Sequence, residues 1–215
     1  MIEVFSWATS NVYKVHIMLE ECGFRRGRDW AAIPINIDTG EQFKPEFLRI
    51  SPNNKIPALV DPKGPGGKPI ALFESGAILL YLAAKAGKLL PKTDRLKYQV
   101  LQWLMFQMAG LGPTLGQNRH FRTLAPEKID YAINRYTTET QRLYGVMDKR
   151  LAVSKFIACN QYTLADIAIF PGLRNAQDPG INWSDYPHLK RWFDLVSARS
   201  AVQRVMQIRG ELRKP

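Results

Sequence analysis

The chain has 215 residues, of which 46% are hydrophobic and 23% charged. This composition is typical of a globular protein, and the length allows one large domain or two small ones. Cys22 and Cys159 have neither CxxC nor metal-ligand spacing, which argues against a disulfide framework. The start of the chain lacks the basic and apolar regions of a signal peptide, and no stretch approaches the roughly 18 uninterrupted apolar residues of a membrane span. We therefore expect a soluble cytoplasmic protein that does not contact a membrane.

The formal net charge of +11 would suit an anionic ligand, and nucleic acid is the first candidate to consider. The basic residues, however, are spread along the whole chain. The densest runs, at residues 25–28 and 209–214, are predicted to lie in a loop and at the C-terminus. Scattered charge is typical of a solvated surface, so no nucleic-acid partner is predicted.

Short apolar strands and helices alternate over the first 87 residues. Strands are predicted at residues 2–6, 33–37, 56–61 and 69–73. A first helix is predicted to follow an N-cap at Asn11 and to stop at Gly23; a short helix follows at 45–50, and Ser75 is predicted to cap a third at 76–86. The order β-α-β-α-β-β-α predicts a thioredoxin-like α/β domain over residues 1–87.

After a proline-containing linker at residues 88–92, no strand pattern remains. A helical period runs from Leu96 to Met108 until residues 110–113 (Gly-Leu-Gly-Pro) disturb it, and a second long helix is predicted at 126–151. Thr163 and Asp166 form a predicted capping box that opens a buried helix from 164 to about 170. One or two closing helices are predicted over 186–207. Residues 93–215 are therefore predicted to form an all-α domain.

The stretch from Ser51 to Val60 joins a polar turn to a buried strand. Its first half is too rich in turn formers for a helix or strand interior, and Pro57 lies at the strand entrance, where a missing N–H is tolerated. Because most X-Pro bonds are trans, the local sequence favours trans. A cis bond would turn the Ile56 backbone groups outward, towards an extended peptide that could pair with them.

These motifs resemble the cytosolic glutathione transferase superfamily over the whole chain. The resemblance rests on Asn54-Lys55-Ile56-Pro57, on Glu74-Ser75 and on the Thr163 capping box. The stretches 51–58, 73–82 and 110–117 resemble one branch, the bacterial Nu-class glutathione-dependent disulfide-bond oxidoreductases. The resemblance implies a cis Pro57, a homodimer, and glutathione, reduced or oxidised, as a substrate.

Thr9 and Asn11 lie where the first strand turns into the first helix. The local sequence indicates only a turn and an N-cap there, and Ser10 remains a possible hydroxyl donor. Tyr13 is interpreted as a core or surface residue, and the absence of any cysteine before Cys22 excludes a protein mixed disulfide at this turn. The resemblance implies that Thr9 and Asn11 contact the glutathione sulfur and are the catalytic pair.

The resemblance also implies a set of glutathione-binding residues. Ser75 would bind the γ-glutamyl carboxylate at a helix N-terminus, and Glu74 the ammonium group. The main chain of Ile56 would pair with the cysteinyl backbone, while Gln42 and Lys55 suit the glycyl end. An arginine on the long helix would reach glutathione from the helical domain. The implied set is Thr9, Asn11, Gln42, Lys55, Ile56, Pro57, Glu74, Ser75 and Arg135.

The run from Gln117 to Phe121 lies where a wall for a second substrate is expected, and Arg119 or His120 could contribute to it. A lone histidine without an identifiable carboxylate partner is more often structural than a general base. His16, His120 and His188 do not have metal-ligand spacing, so no metal is predicted. Cys159 is interpreted as a buried small residue.

Three functions remain open from the sequence. The first is glutathione-dependent reduction of a small disulfide, in which the cysteine chemistry belongs to glutathione. The second is conjugation of glutathione to an electrophile, or a peroxidase reaction. The third is a non-catalytic glutathione-binding regulatory module, like the nitrogen-regulating relatives of this branch. Those relatives carry an Asn/Gln-rich N-terminal extension, and the present chain begins at its first strand, so the enzyme is favoured.

Overall fold

The computed structural model of the chain describes residues 1–173 and 180–208. By its internal contacts the chain divides into two units. The first contains residues 1–89 together with the segment from Arg199 onward, and the second contains residues 90–198. The segment that begins at Arg199 therefore groups with the N-terminal unit, whereas the predicted helical domain included it.

A four-stranded sheet, in the order β2-β1-β3-β4, lies in the described part of the first unit. β1 (Ile2–Ser6) is parallel to β2 (Trp30–Pro34) and antiparallel to β3 (Ala58–Asp61). β3 pairs in turn with β4 (Ile70–Phe73) as an antiparallel hairpin. The pairing of β1 with both β2 and β3 makes it a central strand of the unit.

Helices alternate with these strands in the predicted order. α1 (Ser10–Cys22) follows β1, a short 3₁₀ turn (Glu41–Phe43) and α2 (Pro45–Leu48) follow β2, and α3 (Ser75–Ala86) follows β4. The order β-α-β-α-β-β-α confirms the predicted thioredoxin-like α/β fold, and helices follow it along the chain.

α1 is the central helix of the first unit, because it packs against both α3 and α9 (Ser200–Gln207). At the contact with α9, Arg199 forms a bidentate ion pair with Glu21, and Arg204 pairs with Glu20. Such partly exposed pairs contribute little, so apolar burial supplies most of the stability. The buried apolar residues of the two helices include Val12, Val15, Met18, Leu19, Ala201, Val202 and Val205.

The predicted position of the second strand is wrong. The strand occupies residues 30–34 and not 33–37, because Trp30 is completely buried and pairs with Ile2 in the parallel ladder. Beyond Pro34 only the Ile35 N–H bonds to β1, through the Ser6 carbonyl. β3 and β4 each begin after a proline that lacks an N–H, so they are shorter than predicted.

Both predicted N-caps of the first unit are wrong by one or two residues. Thr9, in an extended conformation, occupies the N-cap position of α1, and Asn11 is already helical. Glu74, with φ of 69°, occupies the N-cap position of α3, and Ser75 is its first helical residue. Neither N-cap residue makes a side-chain capping hydrogen bond, so the chain direction at the sheet edge sets the start of each helix.

The described part of the second unit is helical and contains no named strand. Its helices are α4 (Asp94–Met105), α5 (Gly112–Arg119), α6 (Asp130–Ala152), α7 (Leu164–Leu173) and α8 (Pro187–Ser197). α6 begins four residues later than predicted, and the predicted closing segment forms two helices, α8 and α9. Across residues 1–173 and 180–208, no helix is both long and apolar enough to cross a membrane.

The Gly-Leu-Gly-Pro sequence does not end the helix that begins at Asp94. A π-helical turn (Phe106–Leu111) continues α4 directly into α5, and Pro113 lies in the first turn of α5, where no N–H is needed. A Cβ on Gly112 would lie 2.7 Å from Gln107 Nε2 and 3.0 Å from the Gln107 carbonyl oxygen. The glycine therefore permits the close approach of the π turn to α5.

Asp166 organises the core of the second unit. Its buried carboxylate accepts hydrogen bonds from the Thr163 N–H at 2.9 Å and the Trp192 indole at 2.8 Å. The Ile157 N–H at 2.9 Å and the Thr163 hydroxyl at 3.2 Å complete the set. Half of the predicted capping box is thus confirmed, since Asp166 reaches back to Thr163. The Thr163 hydroxyl donates to Asp166 instead of accepting from its N–H, which bonds to the Thr163 carbonyl.

Asp61 is the centre of a group of hydrogen bonds and one ion pair at the hairpin end of the sheet in the first unit. Its carboxylate accepts hydrogen bonds from the Tyr81 hydroxyl at 2.6 Å and from the Lys63 N–H at 2.8 Å, and it pairs with Lys85 at 2.8 Å. Burial opposes ionisation of Asp61, but these interactions outweigh it and hold the pKa of the carboxyl below its usual value.

Candidate active site

The register of the sheet brings three predicted site segments to one edge. Phe5 near the end of β1 pairs with Ala58 at the start of β3, and Ala58 pairs with Phe73 at the end of β4. The chain segments beyond these residues therefore emerge at the same edge. They are the β1–α1 turn with Thr9 and Asn11, the Ile56–Pro57 entrance to β3, and Glu74–Ser75 at the start of α3.

Thr9 presents a buried hydroxyl at the N-terminus of α1. Its Oγ1 atom is inaccessible to solvent and has no hydrogen-bond partner among the described residues. The Thr9 backbone is fully used, because its N–H bonds to the Trp7 carbonyl and its carbonyl accepts from the Tyr13 N–H. A buried hydroxyl that does not bond to the protein, beside free helix N–H groups, is suited to a ligand atom that carries negative charge.

The neighbours of Thr9 differ in exposure. Asn11 is exposed on the first turn of α1, and Ser10 is the first helical residue and partly buried. Tyr13 is buried in the core of the first unit, which is one of the two positions, core or surface, that the sequence predicted for it. Thr9 is therefore the residue of this turn whose hydroxyl is buried and has no hydrogen-bond partner among the described residues.

The turn before β3 has an irregular backbone. The Ile56–Pro57 peptide is cis, as the resemblance implied, and Asn54 adopts a positive φ of 47°. The buried Ser51 hydroxyl donates to the Lys55 carbonyl at 2.8 Å and so stabilises the turn. The Lys55 side chain is exposed. Within the described part of the chain, no backbone hydrogen bond uses the Ile56 N–H or carbonyl.

Glu74 and Ser75 begin α3 at the same edge. The positive φ of Glu74 turns the chain sharply out of β4, leaving its side chain exposed and Ser75 buried. The N–H groups of the first turn of α3 have no partner within the helix and are suited to a carboxylate.

A buried lysine that sequence reasoning missed lies beneath this helix start. Lys14 is 1% exposed, and its Nζ donates to the Ser75 hydroxyl oxygen at 3.4 Å. Burial lowers the pKa of Lys14 to about 7, although the nearby Glu74 carboxylate opposes this shift. The only signal in the sequence was a single lysine within the apolar run from Val12 to Leu19.

Gln42 lies in the short 3₁₀ turn after β2. Its Nε2 donates to the Ile37 carbonyl at 3.3 Å, while its buried Oε1 has no partner among residues 1–173 and 180–208. Because the end of β2 pairs with Ser6, this turn follows the same edge of the sheet as the other segments. The first unit thus brings together every predicted site residue except Arg135.

Arg135 lies on α6 in the second unit. It is exposed and lines a groove of about 620 Å³ together with Thr114, Tyr131, Asn134, Tyr136, Thr138 and Glu139. Phe121 stacks on Tyr136 with ring centroids 5.5 Å apart. Behind the groove, Thr137 donates to the buried Asn118 side chain at 3.1 Å. The groove is lined by polar and aromatic side chains, and the wall for a second substrate at residues 117–121 stays a prediction.

Comparison with known proteins identifies the chain. Residues 1–84 match the glutathione S-transferase N-terminal domain, and residues 115–200 match the glutathione S-transferase C-terminal domain. The chain belongs to the glutathione S-transferase family. The chain is similar to YfcG, a disulfide-bond oxidoreductase of Escherichia coli K12. The two are 47% identical over 203 residues, which cover 94% of this chain and 93% of YfcG.

Two solved structures of similar glutathione transferases contain bound glutathione or glutathione disulfide. A family member from Pseudomonas fluorescens, with two glutathione bound, is 44% identical to this chain. The match covers 95% of this chain and 92% of the Pseudomonas chain, with a TM-score of 0.89. A transferase from Pseudomonas putida, with one glutathione disulfide bound per subunit, is 42% identical, with coverage of 96% and 91% and a TM-score of 0.90.

One histidine of this glutathione S-transferase is buried in the first unit, and the other two are exposed in the second unit. His16 is completely buried against Ser6, and burial followed by the Arg26 charge lowers its pKa to about 3, so it remains neutral. His120 and His188 are exposed in the second unit. In the described ranges, no group of three or more His, Cys, Asp or Glu residues could hold a metal ion.

Proposed function

We propose that the chain is a glutathione-dependent disulfide-bond oxidoreductase in which Thr9 and Asn11 polarise the glutathione sulfur. The observation that carries this proposal is the buried Thr9 hydroxyl, which has no partner among the described residues and lies at the N-terminus of α1. The disulfide-bond oxidoreductase YfcG, at 47% identity, supports the reaction class.

The energetic demand on Thr9 and α1 is small. A free thiol has a pKa of about 8.5, and lowering it by one unit requires about 1.4 kcal/mol of preferential interaction with the thiolate. A hydrogen bond to a charged group contributes roughly 1.5–3 kcal/mol, and a helix N-terminus adds up to about 1 kcal/mol. One hydroxyl and one helix are therefore enough to keep much of the bound thiol ionised near neutral pH.

The reaction then proceeds by two thiol–disulfide exchanges. The thiolate of the first glutathione attacks one sulfur of the substrate disulfide, a mixed disulfide forms, and the second substrate sulfur leaves as a thiolate that takes up a proton. A second glutathione thiolate attacks the mixed disulfide and releases the other substrate thiol with glutathione disulfide. Two glutathione molecules lose two electrons, and one disulfide gains them.

The remaining residues of the sheet edge would hold the tripeptide. The Ile56 main chain, beside Pro57, would pair with the cysteinyl backbone, in keeping with the lack of any backbone hydrogen bond to its N–H or carbonyl from residues 1–173 and 180–208. Ser75 and the first turn of α3 would bind the γ-glutamyl carboxylate, and Glu74 its ammonium group. Lys55 and Gln42 would contact the glycyl end, and Arg135 would contribute a positive charge from the second unit.

We also propose a cytoplasmic homodimer that acts on a small disulfide or an electrophile. The absence of CxxC motifs and the two buried free cysteines suit a reducing compartment. Multi-angle light scattering tests the assembly, since a dimer has twice the 24.5 kDa mass of the chain. A monomer at working concentration would contradict the homodimer.

The decisive experiment compares two reactions of the same preparation. Reduction of hydroxyethyl disulfide by glutathione is measured beside conjugation of glutathione to 1-chloro-2,4-dinitrobenzene. We expect reduction to dominate, and strong conjugation with negligible reduction would replace the proposed function with a conjugating transferase. Calorimetry with reduced and oxidised glutathione separates a third outcome, because tight binding without either reaction would indicate a regulatory module.

A further inference from the structure

Lys14 is the one buried lysine within the described chain, and its position relative to α3 is specific. It projects from α1 into the core of the first unit, and its Nζ donates to the Ser75 hydroxyl oxygen at 3.4 Å. Because the Ser75 oxygen accepts from Lys14, the hydroxyl hydrogen cannot point at Lys14. The ammonium thus lies directly behind the first residue of α3, on the side opposite to solvent.

We infer that Lys14 is a positioning residue for glutathione, whose buried ammonium acts through Ser75 as the counter-charge of the carboxylate bound at the N-terminus of α3. This inference rests on the proposed function, since it concerns the proposed γ-glutamyl subsite. A buried charge interacts more strongly with a nearby ligand than a solvated one, because little water separates the two.

The described charged groups near Lys14 lie on α1, α3 and α9. On its own helix, His16 is neutral, and Glu20 and Glu21 pair with Arg204 and Arg199 of α9. On α3, Lys85 pairs with Asp61. Glu74, at the start of α3, is the described carboxylate that raises the pKa of Lys14, and the proposed ammonium contact would engage it when glutathione binds.

The inference makes glutathione binding depend on pH in one direction. Burial lowers the pKa of Lys14 to about 7 in the unliganded protein, and a bound carboxylate would raise it again. Below about pH 7 the lysine is already charged, so binding is insensitive to pH on its account. Above about pH 7 binding must take up a proton, and affinity falls by up to tenfold per pH unit until the pKa of the complex is reached.

The test uses S-methylglutathione, because a blocked thiol removes the proton released when the sulfur ionises. Isothermal titration calorimetry in buffers of different ionisation enthalpy counts the protons taken up. At about pH 8 the wild-type protein should take up roughly half a proton or more. The variant Lys14→Met, an uncharged residue of similar length, should take up roughly half a proton less, because any uptake by the ammonium group of the ligand is common to both proteins.

Affinity separates a charge effect from a structural one. Lys14→Met should weaken binding about tenfold or more at about pH 6.5, and much less at about pH 9, where the wild-type lysine is neutral. Against a tripeptide in which 4-aminobutyrate replaces the γ-glutamyl residue, which lacks the carboxylate, the two proteins should bind equally. Lys68→Met removes one exposed positive charge from the same unit and is the matched control, with an expected change below about twofold.

Each outcome decides the inference. Equal loss of affinity at both pH values, or equal loss with both ligands, would show that Lys14 is only structural. If Lys14→Met does not fold, the proton uptake of the wild-type protein still decides, because its absence at about pH 8 contradicts the inference. If the wild-type protein binds neither glutathione nor S-methylglutathione, the proposed function itself is wrong.

Discussion

Replacement of Thr9 by valine tests the proposed sulfur contact with almost no change in shape. The side chain keeps its branching and loses only the buried hydroxyl, which makes no hydrogen bond to another described residue. A hydrogen bond to a charged acceptor contributes roughly 1.5–3 kcal/mol, which corresponds to a rise of about 1–2 units in the pKa of the bound thiol.

The expected effect on the rate is smaller than the effect on ionisation. At about pH 7 a rise of one to two units from a thiol pKa of about 7 lowers the thiolate fraction roughly 5- to 50-fold. A more basic thiolate is also a better nucleophile, with a Brønsted coefficient of about 0.4–0.5, which recovers about 3- to 10-fold. Thr9→Val should therefore slow disulfide reduction by about 2- to 6-fold at saturating glutathione.

The thiol pKa in the complex is read from the ultraviolet absorbance of the thiolate as a function of pH, and the rate is measured with the same preparation. Thr9→Ser keeps the hydroxyl and should stay within about twofold of the wild-type rate. Because Thr9 makes no side-chain capping bond, the free energy of unfolding of Thr9→Val should fall by no more than about 0.5 kcal/mol. An unchanged thiol pKa in a folded Thr9→Val protein would refute the proposed contact.

Three further predictions concern stability. Asp166→Asn should lower the free energy of unfolding by about 2–4 kcal/mol, because either orientation of the amide points its NH₂ group at a buried N–H donor. Gly112→Ala should cost about 1–3 kcal/mol, since its Cβ would lie 2.7 Å from the Gln107 side chain. Gly116→Ala, on the same helix with open space around it, should be neutral or stabilising by up to about 1 kcal/mol. The pKa of Asp61 is lowered in the folded state, so its ionised carboxylate stabilises the fold above the unfolded pKa of about 3.9. This stabilisation is lost as the pH falls through the folded-state pKa. Asp61→Asn should therefore remove that part of the loss of stability in acid.

Urea unfolding followed by circular dichroism measures the Asp166, Gly112 and Gly116 variants, with thermal midpoints as a second readout, and acid unfolding measures Asp61→Asn. An Asp166→Asn protein as stable as the wild type would show that the four-bond cluster is not important for the second unit. Equal stability of the two alanine variants would mean that the π turn relaxes freely. An acid-unfolding curve unchanged by Asp61→Asn would assign the acid sensitivity to other carboxylates.

The order of elements was predictable because local patterns carried it. Glycine stops, a β-hairpin turn and apolar periods of two or 3.6 residues lie within each segment. The position of β2 was not predictable in this way: the alternation of Ile33, Ile35 and Ile37 suggested a strand, but a parallel ladder with β1 and the burial of Trp30 decided its start. Parallel pairing joins residues distant in sequence, so a local window cannot detect it.

In the candidate site, too, local residue types did not determine the positions that depend on contacts between distant parts of the chain. Asn and Ser are among the most frequent residue types at N-caps, so the sequence predicts Asn11 and Ser75 there. Thr9 and Glu74 occupy the N-cap positions instead, because the preceding strands end just before them. Lys14 could not have been predicted as a buried residue, since lysine in a helix is normally exposed or extends to solvent. The resemblance predicted the cis Pro57 that local sequence disfavoured.

Both cysteines of the chain are buried, and burial raises the pKa of the Cys22 thiol to about 11, with Glu21 raising it further against the opposing effect of Lys88. If the proposed function holds, the reacting sulfur arrives and departs with each molecule of glutathione. The catalyst then has no oxidised resting form that must be regenerated. Peroxides could exhaust its supply of reductant and leave the polypeptide itself chemically unchanged, so its working rate would follow the redox state of the surrounding glutathione pool.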